Sequence, residues 1–545
     1  MAVSTTVDVK VPKRSGFDKS FQNLLTTKVG TLTPILVDEV IPNSVVDLDA
    51  AISATLPPLA SDTFMRCDLK AEAFFVPHRL VYGGFEDWLT HQQIYDMAAG
   101  EWLDVILPKL ELPTGGANAS AQNSNYDNYK PGTLLDYLGF KMPKNDSTTV
   151  TKVSVNPFPV LAYHRIWDDW YRNTQIQAPQ FYKPTMTNIS EQGEFYLSNL
   201  PFVTYTTGEE SNGTFSFSTS TVGNVKVGKL RQRNFGLDYF TTASLNPQQG
   251  DASSVTVPAE GEISIAAIRA ANSLQQFAER NNLAGKRMQD YVRAHFGANL
   301  SSGVAQRSIY LGSATYTVYS KGISQTMAIS DDQAVASNNP FTSVGAQYGR
   351  AFASGNGKLI DHFEANEPGT IMVLVSLVPK VSYATGIDRM LTRYTRQGSQ
   401  VEMADPLLQN TGNQPIFSYE LSGAEIVTGP TAVFGYTDRF GEWKTKQDQV
   451  HGLLRDGESL QSFAAQRSLT GSVSIDSLNF LPIPTNYLDQ VSAVDDSISN
   501  YGVWIDSFMS YKVSMPLAEY SIPSLQDPAY EHGNDVKIDI RGSKL

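Results

Sequence analysis

Cysteine is almost missing: Cys67 stands alone in 545 residues. One thiol cannot close an intrachain disulfide or build a cysteine-based zinc site, and the shortage fits folding in a reducing compartment. Charge is scarce too. Asp, Glu, Lys and Arg make up 18% of the chain, against roughly a quarter in ordinary soluble proteins. Long apolar runs are absent. The longest, Ile371–Val378, is interrupted by Ser376 and is too short to cross a bilayer as a helix. Met1–Asp8 has no basic segment ahead of an apolar stretch, so export by a conventional signal and membrane insertion are not expected.

Recognisable chemistry is missing as well. The seven histidines, at 78, 91, 164, 295, 362, 451 and 532, include no pair at the four-residue spacing of a zinc helix. No GxSxG nucleophile elbow occurs. Gly355-Asn356-Gly357-Lys358 lacks the earlier glycine of a phosphate loop, and Leu359 stands where Ser or Thr would ligate magnesium, so it reads as a surface turn. Asp168-Asp169, Glu209-Glu210, Asp331-Asp332 and Asp495-Asp496 are sequence neighbours. Adjacent side chains point in different directions, so such pairs do not make an acid/base couple. No catalytic residue, cofactor or metal site is expected, and an enzyme is the least favoured class.

What the chain does have is 25 Tyr, 26 Phe, 40 Gly and 28 Pro. Many aromatics with few charges imply extensive burial, part of which can lie between subunits, because obligate interfaces resemble a core cut in half. Net charge is −13, but its sign is uneven. Residues 1–30 carry Lys10, Lys13, Arg14, Lys19 and Lys28 against Asp8 and Asp18. Such an arm can meet phosphates, or it can be no more than a solvated terminus.

Alternation marks strands near both ends of the chain. Leu69, Ala71, Ala73 and Phe75 alternate with Lys70, Glu72 and Phe74 before Pro77; Met509, Tyr511, Val513 and Met515 alternate with Ser510, Lys512 and Ser514. Leu32–Val40 and Val45–Ile52, split by a Pro42-Asn43 turn, Ser308–Tyr319, Ile371–Val378 and Ile416–Leu421 also read as strands. Three stripes at helical spacing lie between them: Tyr163, Ile166, Trp167, Trp170 and Tyr171; Ile268, Ala271, Leu274, Phe277 and Ala278; and Met288, Tyr291, Val292, His295 and Phe296, ended by Gly297. The first, aromatic stripe suits core packing better than base stacking. Residues 111–152 and 185–230 read as long loops, of the kind that projects from a surface and carries function. No linker divides the chain, and the order of elements predicts one β-sandwich elaborated between its strands.

A collinear series of short motifs adds a resemblance. Arg14-Ser15-Gly16-Phe17-Asp18-Lys19-Ser20 is followed by Gly30-Thr31-Leu32-Thr33-Pro34 and Val37-Asp38-Glu39-Val40-Ile41-Pro42. Phe74-Phe75-Val76-Pro77-His78-Arg79-Leu80-Val81 comes next, then Asp238-Tyr239-Phe240-Thr241, Pro247-Gln248-Gln249-Gly250, Ala267-Ile268-Arg269 and His295-Phe296-Gly297. Tyr383-Ala384-Thr385-Gly386, Asp405-Pro406 and Phe434-Gly435-Tyr436 complete it. In this order the chain resembles the major capsid protein family of the Microviridae, closest to its gokushovirus-like branch. It departs from that branch where a long insertion often forms a threefold protrusion: Asp251–Glu262 is only twelve residues. Outer decoration would then fall to 185–230 or 111–152.

The resemblance implies a mainly β fold: an eight-stranded antiparallel jelly roll, the viral capsid β-barrel, with long helical and loop insertions. It divides the chain into a basic arm over 1–30, lying inside the shell, and a single capsid domain over 31–545. Surface loops at 107–155 and 187–230 and a helical insertion at 263–297 belong to that domain. The implied function is self-assembly into a small T=1 icosahedral shell around a circular single-stranded DNA phage genome, made in the bacterial cytoplasm and ending in the virion. Lys10, Lys13, Arg14 and Lys19 become candidate DNA contacts. Implied partners are further copies at fivefold and threefold contacts, the packaged DNA, a host surface receptor, a spike or pilot protein, and a small basic packaging protein, since an acidic subunit cannot neutralise a genome alone. A phage receptor-binding or carbohydrate-binding jelly-roll protein is the alternative.

Overall fold

The computed structural model describes residues 14–96, 101–105, 107, 110–114, 131–141, 151–179, 181, 183, 204–205, 225–226, 230–247, 265–283, 287–301, 306–320, 322–325, 347–393, 412–423, 432–471, 473–476, 480–494 and 497–517. Nine strands build its two principal sheets: β1 (Ser15–Asp18), β2 (Phe21–Thr27), β3 (Thr33–Val40), β4 (Ser44–Thr55), β5 (Cys67–Pro77), β6 (Ile309–Thr317), β7 (Phe352–Ala365), β8 (Gly369–Pro379) and β9 (Val503–Met515). All their pairings are antiparallel.

In the first sheet β9 lies between β4 and the collinear pair β1 and β2, and β7 forms the far edge beside β4. The second sheet runs β6-β5-β8-β3. Chain neighbours β3 and β4 therefore sit in different sheets, joined by a turn at Pro42-Asn43 where Asn43 takes a left-handed conformation, φ 64°. The fold is mainly β, with antiparallel sheets, and the described residues form no closed barrel.

Alternation decides which side chains meet between the sheets. Leu48, Ala50, Ile52 and Ala54 of β4 and Ile505, Met509, Tyr511 and Val513 of β9 point inward, against Leu69, Ala71, Ala73 and Phe75 of β5 and Ile371, Val373, Val375 and Leu377 of β8. Residues between these, such as Trp504, Asp506 and Phe508, face outward from the first sheet and are exposed. The second sheet differs. Its other face, Phe74, Val76, Met372 and Leu374, carries a second core beneath α1 (Phe158–Ile166), with Val160, Leu161, Tyr163, Ile166 and Trp167. Every position of β8 is consequently buried, which is why its sequence is a continuous apolar run.

Gly355 and Gly357 are not in a surface turn. They lie inside β7, where a Cβ on Gly357 would stand 2.4 Å from Ala314 Cβ of β6, and one on Gly355 would stand 2.9 Å from the Tyr316 ring. The glycines let the two sheets approach at this edge. Ile416–Leu421 is likewise not one strand: Gln414–Phe417 pairs with Val433–Thr437, and Tyr419–Ser422 is a helical turn. The 111–152 stretch is closed at its base by a ladder between Leu110–Thr114 and Thr151–Val155. Most of 185–230 lies outside the described residues, which include there a short pairing of Thr204–Tyr205 with Val225–Lys226.

Candidate functional site

Of the four candidate DNA contacts, Lys10 and Lys13 lie outside the described residues. Arg14 and Lys19 are within them, and both have carboxylate partners in the same chain. Arg14 donates to Asn43 Oδ1 and Glu364 Oε1; Lys19 pairs with Asp38 and sits 5.3 Å from the centroid of the Tyr511 ring. These contacts tether β1 and the β1–β2 bend to β3, β7 and β9. Exposed ion pairs of this kind are worth no more than about 1 kcal/mol, so a phosphate can compete for them.

The densest polar cluster forms where the insertion between β5 and β6 meets the second sheet. Residues Trp167–Tyr171 continue α1 as a π-helical turn. The wider turn sets Asp168 and Asp169 against different arginines: Arg172 Nε reaches Asp168 at 2.8 Å, and Arg165 Nε reaches Asp169 at 2.9 Å. Ser308, next to β6, donates to Asp169 Oδ2 through both its backbone N–H and its hydroxyl, each at 2.9 Å. Arg287 donates to the Asp168 carbonyl, Arg307 donates to the Asp169 carbonyl, and the Arg307 guanidinium lies 3.7 Å from the Trp170 ring centroid. On the same face Arg233 pairs with Glu72 at 2.5 Å and covers Tyr171. The two aspartates thus knit the insertion to the sheet and carry no acid/base chemistry between them. The aromatic stripe divides accordingly: Tyr163, Ile166, Trp167 and Tyr171 are buried, while Trp170 stays partly exposed.

A third cluster lies under the C-terminal loops. A cavity of about 280 Å³ is lined by Tyr239, Tyr383, Arg389, Glu420, Lys446 and Arg455, among others. Burial pushes the Glu420 carboxyl up to about 7, although Arg389, 3.6 Å away, and the Phe417 N–H, 3.0 Å away, favour its charged form. Tyr383 donates to Asp238 at 2.7 Å. Tyr239, Arg389 and Glu420 are partnered with one another. Among the described residues no group of His, Cys, Asp and Glu could hold a metal ion, and no helix is long and apolar enough to cross a membrane.

The chemistry on offer is therefore that of surfaces. The outward face of the first sheet carries Leu24, Trp504, Phe508 and Phe352, all exposed. A second exposed apolar surface belongs to α2 (Ile265–Leu283) and α3 (Met288–Phe296), the latter ended by Gly297 at φ 67°. Helical periodicity foretold both helices but not that their large side chains are left uncovered. Nor did sequence show the arginine cluster, because its members come from segments far apart in the chain.

Comparison with known proteins extends over nearly the whole chain. The model of the family described as "Capsid protein (F protein)" matches residues 5–525. Among curated relatives, the capsid protein VP1 of Chlamydia phage 1 is 24% identical, with 94% of this chain and 96% of the relative aligned. The capsid protein VP1 of Bdellovibrio phage phiMH2K is 23% identical over 94% of this chain and 95% of its own length. That of Spiroplasma virus 4 is 22% identical over 91% and 93%.

Proposed function

The chain belongs to the phage capsid protein (F protein) family and is a major capsid protein of the Microviridae type; from this we propose that it closes, as many identical copies, into a T=1 icosahedral shell around a circular single-stranded DNA genome. The observation that carries this reading is the match to capsid proteins over nearly the full length of both partners. The role is structural and its place is the virion. Strand order supports a jelly roll as the finer description of the fold. With β1 and β2 counted as one interrupted strand, two four-stranded antiparallel sheets face each other, and successive strands of the first five alternate between them after β2.

Negative-stain images and sedimentation of the purified protein test the shell. Closed particles of uniform size are expected, and isolated trimers or monomers under all conditions would favour the receptor- or carbohydrate-binding alternative instead. Within the segment 1–30, Ser15–Asp18 and Phe21–Thr27 are strands of the first sheet; for the part ahead of them the proposal is an internal position, with Lys10 and Lys13 as the stronger phosphate contacts, since Arg14 and Lys19 already hold carboxylates. A Lys10→Ala, Lys13→Ala double substitution should lower the salt concentration at which particles lose DNA, because each phosphate contact adds to the salt dependence; an unchanged release profile removes the arm from the genome interface. With a net charge of −13, the subunit does not balance a packaged genome, and a separate small basic packaging protein is the proposed partner. DNA-filled particles containing this polypeptide alone would contradict it. The loops at 107–155 and 187–230 are proposed to face outward and contact the host receptor.

A further inference from the structure

The cavity beneath the C-terminal loops is where four segments from two insertions meet: Tyr239-Phe240, the stretch after β8, the helical turn Tyr419–Ser422, and the chain from Glu442 to Arg455. Its volume, about 280 Å³, is near the roughly 300 Å³ at which ligand pockets begin, enough for one small molecule. Tyr239, Phe240 and Tyr383 are buried and packed edge to face, with Phe240 5.1 Å from each of the other two rings, and supply an aromatic wall. Deep in the cavity the Glu420 side chain is 5% exposed. Its Oε1 accepts the Phe417 N–H at 3.0 Å and faces Arg389 at 3.6 Å. Its Oε2 has, among the described residues, the Tyr239 hydroxyl at 3.5 Å, well beyond the usual distance of about 2.7–2.8 Å. A buried carboxylate oxygen held so loosely is open to a better donor. Charge is also sorted with depth. The inner groups, Arg389, Glu420 and Glu442, are each no more than 13% exposed and sum to one negative charge when both carboxylates are ionised. Around the mouth stand Lys446, 74% exposed, and the exposed Arg455, against Asp388. Lys446 pairs with Asp388 at 3.1 Å, an exposed contact worth at most about 1 kcal/mol, from which a phosphate can draw the lysine. Beyond Lys446 lies a second hollow of about 510 Å³, which shares Tyr239, Thr445, Lys446 and Gln447 with the first and adds Lys444 and Asp438.

An acidic, aromatic interior under a basic mouth matches a molecule with a hydrogen-bond-donating ring at one end and an anion at the other. We propose that the cavity binds a nucleotide: the base enters beside Tyr239 and Tyr383 and donates an N–H to Glu420 Oε2, and its phosphate rests on Lys446 and Arg455. Aromatic surfaces and a cationic groove are the two elements of sequence-tolerant single-strand binding, and carboxylates read amino groups on base edges. The second hollow leaves room for a following nucleotide on the far side of Lys446, so the same chemistry can come from the packaged strand or from free nucleotides. The site does not need the shell; only its filling by the packaged strand rests on the capsid reading.

Calorimetric titration of the full chain, kept unassembled, with each of the four deoxynucleoside monophosphates tests the site. Saturable binding is expected. The thymine nucleotide should bind about fivefold more weakly or worse, because thymine sets its one N–H between two carbonyls that a carboxylate repels. Glu420→Gln should shrink that difference to less than about twofold. Lys446→Ala, at an exposed position, should weaken nucleotides by about fivefold or more and leave the matching nucleosides, which lack phosphate, unchanged. No saturable binding of any nucleotide by the wild-type chain would overturn the proposal, as would equal effects of Lys446→Ala on nucleotide and nucleoside. Because these titrations use the unassembled chain, their failure would leave the shell reading standing. A mixed tetranucleotide and ultraviolet cross-linking in DNA-filled particles separate the two sources. Tetranucleotide binding tighter by about tenfold or more, with a cross-link within residues 441–455, assigns the packaged strand; equal affinity and no cross-link there assign the free nucleotide.

Discussion

Asp168 and Asp169 show how little adjacency in sequence says about chemistry. Each is held by its own arginine four residues away in the chain, Asp169 on the N-terminal side and Asp168 on the C-terminal side. The side chain of Asp169 is nearly inaccessible and accepts from both donors of Ser308. Replacing it with alanine leaves the half-buried Arg165 without its carboxylate and the buried Ser308 N–H without its acceptor. An orphaned buried donor costs about 1–3 kcal/mol, and Asp169→Ala should shift the urea midpoint accordingly with little change in slope. Glu420 gives a pH signature. Its carboxyl is raised to about 7 by burial, despite Arg389, with Glu442 adding repulsion. A group raised on folding stabilises below its unfolded value, and that contribution is lost as pH climbs through the folded one. Stability should therefore decline from about pH 4.5 to about pH 7, and Glu420→Gln should flatten that part of the curve; a wild-type slope in the variant would assign the decline elsewhere.

Elements were legible where one physical rule dominates and obscure where two compete. β5 and β9 each bury one face and expose or half-bury the other over most of their length, so alternation found them. β8 is covered on both faces, so its run identified it by hydrophobicity alone. α3 was bounded by its stripe and by Gly297, which takes the left-handed conformation that ends helices. The π-helical turn at Trp167–Tyr171 could not be read, because its aromatic spacing fits an ordinary helix equally well. Gly355 and Gly357 misled for a related reason: glycine serves turns and close sheet contacts alike. Tyr163 is the joint between helix and sheet. Its hydroxyl donates to the Leu32 carbonyl at 2.8 Å and accepts the Arg231 N–H at 2.7 Å, wholly inside the second core. Tyr163→Phe keeps the ring and orphans both backbone groups. It should cost about 1–3 kcal/mol in thermal or urea unfolding, and a neutral result would mean that water reaches the site.

At the scale of the whole molecule, the sequence conveyed one sandwich with insertions, but not which strands are neighbours. Strand order depends on contacts between segments that composition and periodicity treat as independent. The single thiol offers a probe of the complete structure. Cys67 begins β5 within the core, and burial raises its thiol far above the ordinary range, which suppresses the reactive thiolate. Its modification by a maleimide should be undetectable in the native subunit and should rise with denaturant along the same curve as global unfolding. Labelling that precedes unfolding would reveal a local opening of that end of the second sheet.

β9 enters between β2 and β4, although the ribosome makes it long after both. Until Val503–Met515 emerges, those two early strands each carry a bare edge, and neither can serve as the other's neighbour. A growing polypeptide cannot finish its first sheet or offer a complete subunit surface. A chain that stops short of Val503–Met515 leaves the inner edges of β2 and β4 unpaired, the kind of exposed strand edge that invites aggregation.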